Sequence, residues 1–124
     1  MTKRALQLFL AMVFGVFFFM SSCTSDTLVP QIPSPSQKVS FSGDIQPIFN
    51  QSCTGCHAPG LNSPNLTAGS SYQSLMSMHL IDTVTPANSI LYKKVVSPGS
   101  MSSYCTAAQA QLILQWIKQG ARDN

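Results

Sequence analysis

Five consecutive residues, Cys53-Thr54-Gly55-Cys56-His57, constrain this chain more than any other stretch. With two residues between them, both thiols can sit on one side of a single turn, where they can add to the two vinyl groups of one porphyrin. His57 follows at once, so its ring is carried to where it can supply the proximal nitrogen that haem iron commonly takes. Thr54 and Gly55 are small and leave room for the edge of the macrocycle. The pattern reads as a site for one covalent haem c, held through Cys53 and Cys56, with His57 as the metal ligand.

Three other uses of a C-x-x-C pair compete at the same place: a structural disulfide, a thioredoxin-like redox pair and half of a zinc site. Zinc takes about four ligands, and only His79 and Cys105 remain as further candidates, neither in a paired spacing. A thioredoxin-like pair belongs in a βαβ setting, and the chain shows no alternation of strand and helix patterns. Each competitor lacks a part.

The hydrophobic fraction of 44% is inflated by the first twenty residues. Lys3 and Arg4 precede Ala5 to Met20, an apolar run broken only by Gln7 and Gly15, which is short for a membrane span and suits a secretory signal. The run ends Met20-Ser21-Ser22-Cys23, which resembles the lipobox of bacterial lipoproteins although leucine is commonest where Met20 stands. That resemblance implies cleavage of residues 1–22 and acylation of Cys23. The chain would then be anchored by lipid in the bacterial cell envelope, facing the periplasm or exterior. Two or three acyl chains, each contributing about 0.8 kcal/mol per buried methylene, suffice for this without a transmembrane helix.

Removal of the signal also changes the charge. Lys38, Lys93, Lys94, Lys118 and Arg122 then stand against Asp26, Asp44, Asp82 and Asp123, a net charge near +1 in place of +3. No basic stripe with interleaved aromatics survives, so nucleic acid is not an expected partner. Residues 23–38, with Pro30, Pro33 and Pro35, read as a Ser/Pro-rich membrane tether.

Residues 39–124 read as an all-α domain. Phe41, Ile45, Ile48 and Phe49 recur at helical spacing, which predicts a helix over Asp44 to Gln51, capped by Ser42 or Asp44, with Pro47 in its first turn. Shorter helices are expected over Tyr72 to Met78 and Asn88 to Val96, the second with Ile90, Leu91, Val95 and Tyr92 facing inward and with Pro98 and Gly99 as its stop. The last helix carries the clearest signal. Thr106 and Gln109 have capping-box spacing, Ala110, Ile113, Leu114 and Ile117 form one face flanked by Leu112 and Trp116, and Gly120 is a natural stop. Between helices, a backbone carbonyl of Pro64-Asn65-Leu66 is a candidate acceptor for the second ring N–H of His57.

An N-terminal helix, C-x-x-C-H, loops, and a methionine shortly before a C-terminal helix together resemble a class I cytochrome c. The closest likeness is to the small single-haem domains of bacterial lipoproteins and planctomycete-type proteins. Phe41 to Phe49 ahead of the motif, Asn88 to Tyr92, and Gln115 to Ala121 carry the resemblance. It implies a cytochrome c-like fold of about four short helices around one covalently bound haem. It also implies Met101 as the sixth ligand, although the family often has proline directly after that methionine and this chain has Ser102. Met76, Met78, His79 and an open site are the alternatives, and Cys105 is left as an unpaired thiol.

These expectations describe a membrane-anchored carrier of single electrons that meets redox partner proteins. A haem-based redox or gas sensor, or an accessory haem domain of a larger complex, shares every motif. A small peroxidase would need a polar distal pair such as His with Arg, and Arg122, the one arginine of the processed chain, stands near its end. Ile48, Phe49, Leu66, Leu91, Ile113 and Ile117 are the expected apolar shell of the site.

Overall fold

A computed structural model describes Ser34 and residues 36–124. The signal segment, Cys23 and most of the tether lie outside the described residues. Helices make up 48% of what is described, with no strand among the described residues. That makes this part of the chain all-α.

The first helix starts earlier than its apolar spacing suggests. Ser40, not Ser42 or Asp44, is the cap: its Oγ accepts from Gly43 N at 3.2 Å, and Asp44 Oδ2 reaches back to accept from Ser40 N at 2.7 Å. A π-type turn over Phe41–Ile45 leads into α1, Gln46–Ser52. Pro47 has no N–H to continue the ordinary ladder, and the turn ahead of it widens to five-residue spacing, with Ile45 N on Ser40 O. Phe41, Ile45, Ile48 and Phe49 are buried along this stretch.

Next in order are α2, Ser71–Ser77, and α3, Ile90–Val95, preceded by a single 3-10 turn at Pro86–Asn88. Ser89 ties that turn down: its Oγ accepts from Asp82 N at 2.8 Å. In α3 only Leu91 and Val95, one helical turn apart, are buried, with Tyr92 half-buried, and Ile90 is 47% exposed rather than inward. A second 3-10 turn, Ser102–Tyr104, leads to α4, Ala107–Lys118. Its capping box is complete, Thr106 Oγ1 accepting from Gln109 N at 3.2 Å and Gln109 Oε1 from Thr106 N at 2.8 Å. Gly120, at φ 95°, takes the left-handed conformation that ends the helix.

The core is the burial of the Phe41–Ile45 turn against α4, with Ile48, Phe49, Leu66, Leu75, Leu91 and Val95 closing the sides. Trp116 is at its centre and only 1% exposed, not on the flank as the spacing alone suggests. Its ring centroid lies 5.2 Å from that of Phe41, which in turn lies 5.3 Å from Tyr72. Both polar tips are satisfied at the chain end, Trp116 Nε1 donating to Arg122 O and Tyr72 OH to Ala121 O.

The start of the first helix and Asn124 are clasped at one pole. Phe41 N donates to Asn124 Oδ1 at 2.9 Å, and the Ser40 and Ser42 hydroxyls donate to Asn124 O. The tail of the Ser/Pro-rich stretch lies along α4: Gln115 Nε2 donates to Ser34 O and Gln37 O, and Gln119 Nε2 to Gln37 O. Among the described residues no helix is long and apolar enough to cross a membrane.

Truncating Trp116 leaves a cavity beside two aromatic neighbours, Phe41 and Tyr72, and unties the C-terminal segment. The substitution Trp116→Ala should cost about 3–5 kcal/mol out of a total of roughly 5–15, read as a lowered urea midpoint. A shift under about 1 kcal/mol would place Trp116 outside the core.

Candidate functional site

The Cys53–His57 turn grows directly out of the end of α1. Cys53 N and Thr54 N both donate to Phe49 O, and Cys56 N and His57 N then donate to Cys53 O at 3.1 and 2.9 Å. The two thiols are free. Cys53 is half-buried against the core, and that burial pushes its thiol up from the ordinary value, whereas Cys56 faces outward. A Cβ added at Gly55 would meet nothing within 4 Å, so the backbone of this turn does not itself require glycine.

His57 is held on two sides by the loop that follows. Leu66 N donates to His57 O at 2.9 Å, and His57 Nδ1 lies 3.2 Å from Pro64 O. A carbonyl can only accept, so Nδ1 carries the proton and Nε2 presents its lone pair away from Pro64. The same loop is anchored to α1 by the buried Gln46, whose Nε2 donates to Leu66 O at 3.0 Å and to Asn50 Oδ1 at 2.8 Å, while its Oε1 accepts from Ser71 Oγ. Asn65 N donates to Ser74 Oγ at 3.0 Å, which fixes α2 to the Pro64 side of the ring.

A second loop approaches from the other end of the sequence. After α3 the chain doubles back so that Met101 N donates to Lys94 O at 2.8 Å and Gly99 N to Val96 O at 2.6 Å. A Cβ at Gly99 would fall 2.2 Å from Lys93 O and 2.4 Å from Lys94 O, so only glycine permits this approach. Met101 opens the 3-10 turn that holds Tyr104, and both side chains are exposed. This turn meets the end of α1 across an open cleft of about 340 Å³, with Gln51 and Ser52 on one wall and Ser103 to Thr106 and Gln109 on the other.

Cys105 lines that cleft and packs against the core. Burial first, and then the nearby Cys53, push its thiol up to about 11. Met76 and Met78 are exposed, and His79, also exposed, sits just beyond α2 with φ 54°. Among the described residues no three His, Cys, Asp or Glu side chains form a group able to hold a metal ion, so His79 and Cys105 do not complete a zinc site with the motif. The expected apolar shell, Ile48, Phe49, Leu66, Leu91, Ile113 and Ile117, lies within the packed core, and the large apolar side chains left open beside the two loops are Leu61, Met101 and Tyr104. A second cleft of about 330 Å³, at the clasped pole, includes Lys38, Trp116 and Arg122.

Gln46 and the Gln115–Gln119 pair escape sequence reasoning, although glutamines four apart on one helix face are a recognisable signal, and Gly99 is marked by the sequence as a helix stop but not for its approach to the Lys93 and Lys94 carbonyls. Compared with protein-family models, curated proteins and solved structures, the chain finds no match in any of the three.

Gly99→Ala should displace the Met101 turn and destabilise the fold by about 1–3 kcal/mol, measured by thermal unfolding; an unchanged midpoint would contradict the contact. Alkylation followed residue by residue should find Cys105 slow at neutral pH and fast only as pH approaches about 11. The folded chain keeps the Cys105 proton between its ordinary 9.0 and about 11, whereas the unfolded chain loses it, so stability should fall as pH rises through that window. Rapid alkylation of Cys105 at pH 8 would refute this.

Proposed function

We propose that this chain is a membrane-anchored c-type cytochrome that carries single electrons through one haem c, which Cys53 and Cys56 would hold covalently and whose iron His57 and Met101 would ligate. The observation that carries the proposal is the hydrogen bond from His57 Nδ1 to Pro64 O, 3.2 Å long. It favours the tautomer in which Nε2 would be the ligand nitrogen, on the residue directly after the second of two free thiols.

The rest of the site is compatible with that group. Cys53 and Cys56 leave the end of α1 on one turn, as a doubly attached porphyrin requires. Gly55 leaves an open space beside them. When bound, haem supplies one reversible electron by cycling between ferrous and ferric iron. The chain holds the imidazole still, keeps its second nitrogen protonated, and backs the turn with a closed apolar core that excludes water.

Met101 is favoured over Met76, Met78 and His79 as the second residue that would ligate the iron. Its turn faces the end of α1 across the cleft, whereas α2, which carries or precedes the others, is fixed to the loop on the Pro64 side of His57. A soft thioether favours ferrous iron and raises the potential. Arg122 sits at the clasped pole, bound through its carbonyl to Trp116, so the polar distal pair of a peroxidase has no arginine at the motif. Cys23, acylated after cleavage, would supply the anchor.

Spectra of haem-loaded protein beside Met101→Ala test this. The parent should show the weak far-red methionine-to-iron band in its ferric form and bind carbon monoxide poorly when reduced, and Met101→Ala should lose the band and bind carbon monoxide readily. A parent that lacks the band and binds carbon monoxide at once would favour a sensor over a carrier.

A further inference from the structure

Three side chains at the end of α2 that can ligate a metal have no part in the electron carrier proposed above. Met76, Met78 and His79 fall within four consecutive residues, and all three are exposed, the two methionines by 38% and 44%. Methionine is a flexible apolar side chain that ordinarily fills gaps in a core. Met76, Met78 and Met101 are the methionines of the described residues, and each stands at the surface. Core packing does not account for them.

The turn that presents the three is fixed from beneath. Leu75 is fully buried and Leu80 packs against the same core. Between them α2 ends in a Schellman turn, Leu80 N donating to Leu75 O at 3.0 Å and His79 N to Met76 O at 3.1 Å. Leu91 N donates to Leu80 O at 3.1 Å, which ties the turn to α3. The left-handed residue of such a turn is usually glycine, because a Cβ is disfavoured there. His79 occupies it at φ 54°, so an imidazole is held where the fold alone is better served without a side chain. Met76 and His79, three residues apart, are neighbours across one turn. Met78 caps the helix between them, and because α2 stops at Ser77 its thioether, carried on three rotatable bonds, has a clear path round the helix end.

The donor set selects the ion. Thioethers are soft, neutral ligands that favour copper(I) over the harder divalent ions, and imidazole suits copper as well. No Asp, Glu, Lys or Arg occurs from Ile45 to Ile81. Asp82, the next carboxylate along the chain, uses Oδ1 to accept from Val84 N and Thr85 N and so caps its own loop. We propose that Met76, Met78 and His79 form a surface site for one copper(I) ion. The site uses none of Cys53, Cys56, His57 or Met101 and stands apart from the haem reading.

The test titrates copper(I), supplied as its acetonitrile complex under argon, into the processed chain, with Cys53 and Cys56 occupied by reduced haem or, in its absence, alkylated. Isotope-labelled methionine methyl groups are followed by NMR, and affinity is read against a chromogenic copper(I) chelator. The Met76 and Met78 methyl resonances and the His79 ring resonances should move together and saturate at one copper per chain, with the Met101 methyl unmoved. Met76→Leu and Met78→Leu, which keep volume and apolar character, should each weaken binding by about tenfold or more. His79→Gly should weaken it as much while the thermal midpoint stays or rises, which separates loss of a ligand from loss of the fold. Cys105→Ala should leave the affinity alone, and zinc(II) in about hundredfold excess should displace no copper. Saturation without movement of both methyl groups, unchanged affinity in Met76→Leu and Met78→Leu, or displacement by zinc(II) would overturn the proposal. Loss of the far-red iron band in Met76→Leu, Met78→Leu or His79→Gly would overturn it too, by giving that side chain to the haem.

Discussion

The hydrogen bond between His57 Nδ1 and Pro64 O is the contact to which the other features of the site answer. It converts a flexible ring on a surface turn into a directed nitrogen ligand, because a carbonyl acceptor requires the proton on Nδ1 and the neutral ring then has its lone pair on Nε2. Behind it, Gln46 holds Leu66 O, Ser71 holds Gln46, and Ser74 holds Asn65 N, so the loop carrying the acceptor is fixed from α1 and α2 at once. These partners are buried or half-buried, and a buried amide left without them would cost about 1–3 kcal/mol. The orientation of one imidazole is thus written into the core.

The core also explains why residues far apart in the chain share one site. Burial of Phe41, Ile45 and Phe49 against Ile113, Trp116 and Ile117 brings the end of α1 to the beginning of α4. The Cys53 turn and the Met101 turn are the segments that leave and enter those ends. Gly99 makes the second possible, since no larger residue can lie against the carbonyls of Lys93 and Lys94. At the other end, Asn124 holds the start of the first helix and the two glutamines hold Ser34 and Gln37, which gives the domain a tether pole and a site pole.

Much of this was legible in the sequence where the signal is local. The capping box of Thr106 and Gln109, the stop at Gly120, the apolar face of α4 and the C-x-x-C-H turn each depend on residues within one or two helical turns of one another. A backbone carbonyl of Pro64-Asn65-Leu66 is a candidate acceptor for the His57 ring from the sequence, and Pro64 O is the one that lies beside it. Long-range choices were not legible. Trp116 flanks its helix face by spacing, and only the arrival of Phe41 and Tyr72 makes it central. Ile90 begins α3 about 100° from the line of Leu91's neighbours on the buried face, so hydrophobicity alone misplaced it. Ser40 was passed over as a cap because the widened turn ahead of Pro47 leaves no mark in apolar spacing.

The central claim is a covalent bond between this chain and one porphyrin, and the most direct measurement is the intact mass of the processed protein, expressed with a cytochrome c maturation system and then denatured in acid. A gain of one haem that survives denaturation and maps to the peptide holding Cys53 and Cys56 is the predicted result. A chain of haem-free mass, with any colour extracted into the solvent, would contradict it.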